Sequence, residues 1–439
     1  MKSIDRISST FSKLGDPHIH DVARLTDEAF TRKRKMPLED LLTFTLTQKG
    51  KTLSMEINNY FKNINKRENR ITKQAFSKQR MKLNPEVFVQ LGREYVGTIY
   101  DDCEYKTLKD YIITAVDGTV LEIPDTKELR KAYDCERGDN KHDMRVARAR
   151  VSGIYDVLND IMIDAQIGKY TASEKELGLR NILNMVNMLK DKKIMIIFDR
   201  GYISAELLLI LLKLDVTFLF RVQSGRYETE KASMKSNDDI VRFEINKSRK
   251  RRMSNEILQL AESIDEIHVR STKIILNTGE EEYLFSNIPF EDFDTNEIGN
   301  LYSKRWKIET AYDVIKNKLY VENFSGKKEV IIEQDFYAQM LLLNMIQDLK
   351  NDANRRLEVE GKKGLKYDYK INMNVFIGTF KEYLIEIAIE NDPIKSRMLY
   401  EYLIEEATEN LVPIKDGRNF PRSNVRRRNK YRQNLRHNN

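Results

Sequence analysis

Six residues of this chain have types and positions suited to chemistry on a phosphate: Asp117, Asp199 and Glu309, with Tyr302, Arg305 and Lys316. Carboxylates are hard oxygen donors, which Mg²⁺ accepts while keeping water and phosphate oxygens as its remaining partners. Converging, they would hold divalent ions for phosphodiester cleavage. The chain has 68 Asp and Glu to draw on, so residue type alone selects nothing. Context does the selecting. Asp117 follows the β-branched run 111–116 and precedes Gly118; Asp199 ends the apolar run 194–198, near Gly201. An acid at the carboxyl end of an interior strand is costly unless a ligand occupies it. For either aspartate alone, a turn or helix-cap residue is the competing reading.

Glu309 lies in a helix expected over about 297–319, in which Tyr302, Arg305, Glu309 and Lys316 stand at offsets 0, 3, 7 and 14. At about 100° per residue the four fall within an arc of roughly 60°. The adjoining arc, Leu301, Ile308, Ala311, Tyr312, Ile315 and Leu319, forms an apolar stripe suited to packing on a sheet. Arg, Lys and a Tyr hydroxyl in a row beside it suit phosphate oxygens, with the Glu completing a metal site. An amphipathic helix with ordinary i,i+4 pairing, Arg305 to Glu309, accounts for the same spacing. Spacing alone does not choose between them.

The elements that must position these residues begin with helical apolar spacing over 38–100. Within it, 71–80 starts at the capping residue Thr72 and is expected to present Lys, Gln, Ser and Arg outward, as the second helix of a helix-turn-helix would. From 111 the texture turns to strands: 111–116, a hairpin partner at 120–123 across an Asp117-Gly118 turn, then 144–154 and 157–165. A helix over 173–189, a buried strand at 194–198, a helix over 204–214 and a strand at 217–222 follow. The stretch 224–290 reads as a β-rich insertion, with a turn at 277–279. After the Glu309 helix, 334–409 is mainly helical. These boundaries give an N-terminal helical domain over 1–105, a candidate for DNA binding whose short helices could equally be only structural, an α/β domain over 106–333 that carries the candidate catalytic residues, a helical region over 334–414 and a basic tail over 415–439.

That tail holds nine Lys or Arg and one acid, so it nets +8 of a chain whose total is +7. The surplus is concentrated where it could lie along nucleic-acid phosphates; a solvated terminus is the bland alternative. At 439 residues, 41% hydrophobic and 33% charged, the chain can bury a large core and is too charged for a membrane protein. The N-terminus lacks a signal-peptide core, and Cys103 and Cys135 sit in no metal-binding or disulfide pattern, which fits a reducing cytoplasm. His142 and His268 lack a second ligand at metal spacing and read as structural or exposed. Trp306, the sole tryptophan, is expected to pack in the core, with base stacking the alternative. Arg200 either touches DNA or balances Asp199.

Tyr302-x2-Arg305-x3-Glu309-x6-Lys316 resembles the Tyr-Arg-Glu-Lys signature of DDE transposases in the insertion-sequence-four group, without departure in residue or spacing. The segments 116–119 and 199–202 are similar to that family's first and second acidic motifs, in the same order. The resemblance implies a ribonuclease-H-like core with a β insertion between its last strand and the Glu helix. It further implies that Asp117, Asp199 and Glu309 bind two Mg²⁺ or Mn²⁺ ions, and that Tyr302, Arg305 and Lys316 contact DNA phosphates. The implied activity is cutting at transposon ends and joining the 3′ hydroxyl to target DNA, by a homodimer in the DNA complex of a bacterial, nucleoid-associated protein. A DNA-binding descendant without activity and a ribonuclease-H-like nuclease of other purpose are the alternatives.

Overall fold

Apolar, β-branched runs too short for helices become the middle of a sheet once both of their faces are covered. In the computed structural model, which describes residues 1–32, 34–102, 104–136, 146–276, 279–360 and 367–414, five such strands come first. They are β1 (Ile112–Glu122), β2 (Arg148–Asp156), β3 (Ile161–Lys169), β4 (Ile194–Phe198) and β5 (Thr217–Arg221). Three more, β6 (Asp238–Glu244), β7 (Glu266–Ile275) and β8 (Glu281–Ser286), come from the insertion. Together they form one sheet in the order β3-β2-β1-β4-β5-β8-β7-β6. β2 runs antiparallel to both of its neighbours, β1 and β3, while β4 and β5 run parallel to β1. This is a ribonuclease-H-like core.

The insertion does not fold away from the core; β8 pairs with the outer edge of β5, Phe220 opposite Phe285. Phe198 and Phe220 stack at 4.3 Å between ring centroids, joining β4 to β5 on one face. Helix Glu174–Met188 crosses between β3 and β4, and helix Ala205–Lys213, capped by Ser204, crosses between β4 and β5. The second supplies the crossover that the parallel pair β4–β5 requires, and the first carries the chain from the edge strand β3 past β2 and β1 to β4.

Two sequence expectations fail here. The turn at Asp117-Gly118 does not form, because β2 pairs with β1 without interruption from Thr114 to Glu122. Residues 120–123 therefore continue β1 instead of folding back on it. The helix expected over 297–319 is two helices, Thr295–Ser303 and Trp306–Asn317. Between them the backbone tightens, with Arg305 N–H donating to Tyr302 O at 3.0 Å and Ile308 N–H to Arg305 O at 3.2 Å, a 3₁₀ pattern.

Helices from both ends cover the sheet. The long helix Glu329–Glu360 packs on β3 and on helix Glu86–Asp101. Helix Ser3–Ser12 docks on it through a bidentate pair, Arg6 to both oxygens of Asp348 at 2.8 Å. Helix Lys73–Arg80 is also fixed to it. Arg80, expected to face solvent, is 2% exposed and donates to Gln334 Oε1 at 2.8 Å and Asp335 Oδ1 at 2.9 Å, and also to the Ser325 hydroxyl. Lys73, Gln74, Ser77 and Lys78 remain on its outer face. The connection from helix Leu53–Asn63 spans nine residues and contains a 3₁₀ turn at Arg67–Asn69, longer than a helix-turn-helix uses. The tail 415–439, Cys103, His142 and residues 277–278 lie outside the described residues.

Candidate active site

Parallel pairing of β1 with β4 sets Val116 beside Phe198, so the next residues, Asp117 and Asp199, are neighbours across the two strands. Asp199 leaves the sheet at the end of β4, as expected. Asp117 is held inside β1: Gly118 N–H donates to its Oδ1 at 2.9 Å, and the Tyr312 hydroxyl donates to its carbonyl at 2.8 Å. Tyr312 comes from the Trp306–Asn317 helix, whose apolar stripe includes buried Ile308, Ala311 and Ile315. One bond thus ties the Glu309 helix to the backbone beneath Asp117.

The other side chains of that helix pair face the same strands. Arg305 Nη2 donates to Glu309 Oε1 at 2.7 Å, and its Nη1 lies 3.5 Å from Asp117 Oδ2. The Tyr302 hydroxyl lies 3.5 Å from Asp199 Oδ1, the outer limit of a hydrogen bond. Lys316 Nζ donates to Thr119 Oγ1 at 2.6 Å and to Val120 O at 2.7 Å. The structure therefore brings all six sequence-selected residues to one region, but with Lys316 committed to β1 and Arg305 bridging two carboxylates.

Burial pushes the Asp117 carboxyl up to about 6; Glu174 and Glu309 add to this, while the Gly118 amide and Arg305 oppose it. Burial likewise lowers the Lys316 ammonium. Both directions follow from placing a charge where water is scarce.

Sequence reasoning missed two further acids. Glu174, in the first turn of its helix, rests on Gly118: a Cβ there would lie 2.7 Å from Glu174 Cδ. Arg150 of β2 lies 3.4 Å from its carboxylate. No sequence signal marks Glu174 beyond that helix position. Glu282 of β8, 8% exposed, pairs with Arg221 at 3.0 Å. Burial raises it, Arg221 opposes and Asp199 adds to the rise, placing it on the Asp199 side of the site. Its signal was legible: Glu282 shares strand parity with Leu284 and Ser286, both buried.

Trp306 departs from the packing expected of it, being 52% exposed at the start of its helix. His268 is exposed on β7, and Arg200 is exposed beside Asp199.

The Transposase DDE domain family matches residues 108–345, more than half of the chain and the whole stretch that carries these side chains. The chain belongs to the DDE transposase family. The curated proteins contain no match to it. Among solved structures, this DDE domain chain is similar to a piggyBac transposase in a synaptic complex with hairpin DNA, determined by cryo-EM. The likeness has a TM-score of 0.39 and 12% identity over 91% of this chain and 82% of that one, too distant for residue-by-residue correspondence. No helix among the described residues is long and apolar enough to cross a membrane.

Three partly exposed carboxylates are a donor set whose chemistry suits a hard divalent cation. Among the described residues no group of three such side chains is spaced to hold a metal ion. The Arg305 guanidinium contacts both Asp117 and Glu309.

Proposed function

We propose that this protein is an active transposase of the insertion-sequence-four group, cutting DNA at transposon ends and joining the freed 3′ hydroxyl to target DNA. The observation that carries the reading is the helix-borne Tyr302, Arg305 and Glu309 meeting Asp117 and Asp199 at adjacent parallel strands of a ribonuclease-H-like sheet. Asp117, Asp199 and Glu309 would hold two Mg²⁺ or Mn²⁺ ions, which when bound supply Lewis-acid polarisation and a water of lowered pKa.

The protein's own part is positioning. Tyr312 holds the Asp117 carbonyl and the Gly118 N–H holds its carboxylate, so that carboxylate keeps a set direction. Arg305 and Tyr302 would bind phosphate oxygens near the cleaved end, Arg305 by its paired N–H groups. Lys316 would assist from the β1 side. Exposed Trp306 offers a ring on which an unstacked base could lie. Region 1–105, through Lys73, Gln74 and Lys78, and the basic tail over 415–439 would hold flanking duplex. Synapsis of two ends calls for a homodimer on DNA, in a bacterial, nucleoid-associated protein.

The test uses full-length protein, Mg²⁺ and a duplex carrying the terminal inverted repeat that flanks the gene. End-specific nicking followed by a joined strand-transfer product is expected, and Asp117→Ala, Asp199→Ala and Glu309→Ala each abolish both while retaining end binding. Cleavage without joining points to a nuclease of other purpose. End binding without cleavage points to an inactive descendant.

A further inference from the structure

We propose that Arg305 is an internal counter-ion that occupies the carboxylate site in the free protein and is drawn away by a DNA phosphate, so that divalent metal and DNA bind cooperatively. The inference rests on the reading of Asp117 and Glu309 as metal-holding carboxylates.

Arg305 is positioned to act as a stand-in cation. Its two terminal nitrogens reach different acids, Nη2 to Glu309 at 2.7 Å and Nη1 to Asp117 at 3.5 Å, and its side chain is 12% exposed. The Arg charge is permanent in proteins, so it cannot be shed to admit a metal. A divalent ion and this guanidinium therefore compete for the same oxygens. Lys316 does not share the task, since its ammonium is bound to the Thr119 hydroxyl and the Val120 carbonyl.

The backbone supplies the means of release. Arg305 sits at the 3₁₀ joint between two helices, where Lys304 N–H donates to Leu301 O at 3.1 Å and Lys307 N–H to Lys304 O at 3.0 Å. Such a joint inside an otherwise helical stretch commonly marks a hinge. A phosphate offers the guanidinium a bidentate partner of equal geometry, so moving Arg305 from carboxylate to DNA exchanges one charge-assisted pair for another. The vacated carboxylates then repel one another until metal arrives. By linkage, DNA must raise metal affinity by the same factor that metal raises DNA affinity.

The experiment measures Mn²⁺ binding to full-length protein by electron paramagnetic resonance of free Mn²⁺, with and without the terminal-repeat duplex. Without DNA, Arg305→Gln is expected to bind Mn²⁺ at least about tenfold more tightly than wild type. Adding duplex should raise wild-type affinity by about tenfold or more and that of Arg305→Gln by less than about twofold. Arg305→Lys, which keeps the charge, should stay as weak as wild type without DNA, and circular dichroism checks that each variant is folded. Should folded Arg305→Gln bind Mn²⁺ no more tightly than wild type, the counter-ion role is wrong while the carboxylate assignment stands. If neither protein binds Mn²⁺ even with duplex present, the carboxylate assignment itself falls and the counter-ion role falls with it.

Discussion

Gly153 lies opposite Asp117 across the β1–β2 ladder, and what surrounds it makes Gly153→Ala a direct test of how the strand that carries Asp117 is held. A Cβ there would stand 2.7 Å from Met162 Sδ and 3.0 Å from the Tyr312 hydroxyl oxygen. Met162 can turn its flexible end. Tyr312 is 6% exposed and anchored to the Asp117 carbonyl at 2.8 Å, so it must move or compress. Overpacking of this kind costs about 1–3 kcal/mol, and a lost buried hydrogen bond about 1 more. Replacing glycine in an extended strand returns roughly 0.4–1 kcal/mol through the unfolded chain. The net expectation is destabilisation of about 1–3 kcal/mol. Tyr312→Phe removes the atom at 3.0 Å along with its bond, so by itself it should cost about 1 kcal/mol. In the double variant the clash with the hydroxyl is absent, and the total should fall short of the sum by about 1 kcal/mol. Urea unfolding of the four proteins, at a common m-value, measures this. Additivity within about 0.5 kcal/mol would refute the role given to Tyr312 beneath Asp117.

Arg80→Ala removes the guanidinium from Asp335 and from Gln334 Oε1, while Gln334 keeps its bonds to the Arg80 and Leu83 carbonyls and Asp335 keeps those from Ser325; breaking this buried ion pair should cost about 3–5 kcal/mol by urea unfolding, and a loss below about 1 kcal/mol would mean that the pair is not formed. For Asp117, whose carboxyl titrates at about 6 in the folded protein, the folded state takes up its proton before the unfolded state does. Wild-type stability therefore falls as pH rises from about 4 to about 6, and above that window Asp117→Asn should be the more stable by about 1–3 kcal/mol, the gain disappearing near pH 4. Thermal melts at both pH values decide it, and a variant less stable at pH 7 would count against the burial argument. Lys316→Ala should cost about 1–3 kcal/mol through its lost bonds to Thr119 and Val120. Lys316→Met, which keeps the apolar stem, should recover part of that loss in the same melts.

Much of the core was legible because its strands are short β-branched or aromatic runs, and the helices between them carry clear start signals such as Ser204. The grouping of Tyr302, Arg305, Glu309 and Lys316 was legible too, although they come from two helices and not one: Tyr302 lies by Asp199, Arg305 by Asp117 and Glu309, and Lys316 on β1. What escaped notice depends on contacts distant in sequence. Asp117-Gly118 has the composition of a turn, yet β2 pairs straight through it, and the glycine serves instead to admit Glu174. Lys304-Arg305 contains neither Gly nor Pro, so nothing local announces the break between the two helices. Arg80 looked like a surface cation at the end of a polar helix, because its acceptor Asp335 is 255 residues further along. Glu282 could have been picked out by strand parity, whereas Glu174 could not.

The antiparallel pairing of β8 with β5 has a consequence for biosynthesis. When the ribosome has delivered β5, its outer rim is a row of unpaired amides and carbonyls flanked by Phe218, Leu219 and Phe220, all buried in the finished protein. Such a rim templates association with other chains until it is covered. Its cover is encoded some 60 residues downstream, at Glu281–Ser286. A polypeptide released early, between 222 and 280, would carry the two aspartates on an adhesive margin and lack the glutamate altogether, so prematurely terminated products should aggregate instead of accumulating as soluble DNA-binding competitors.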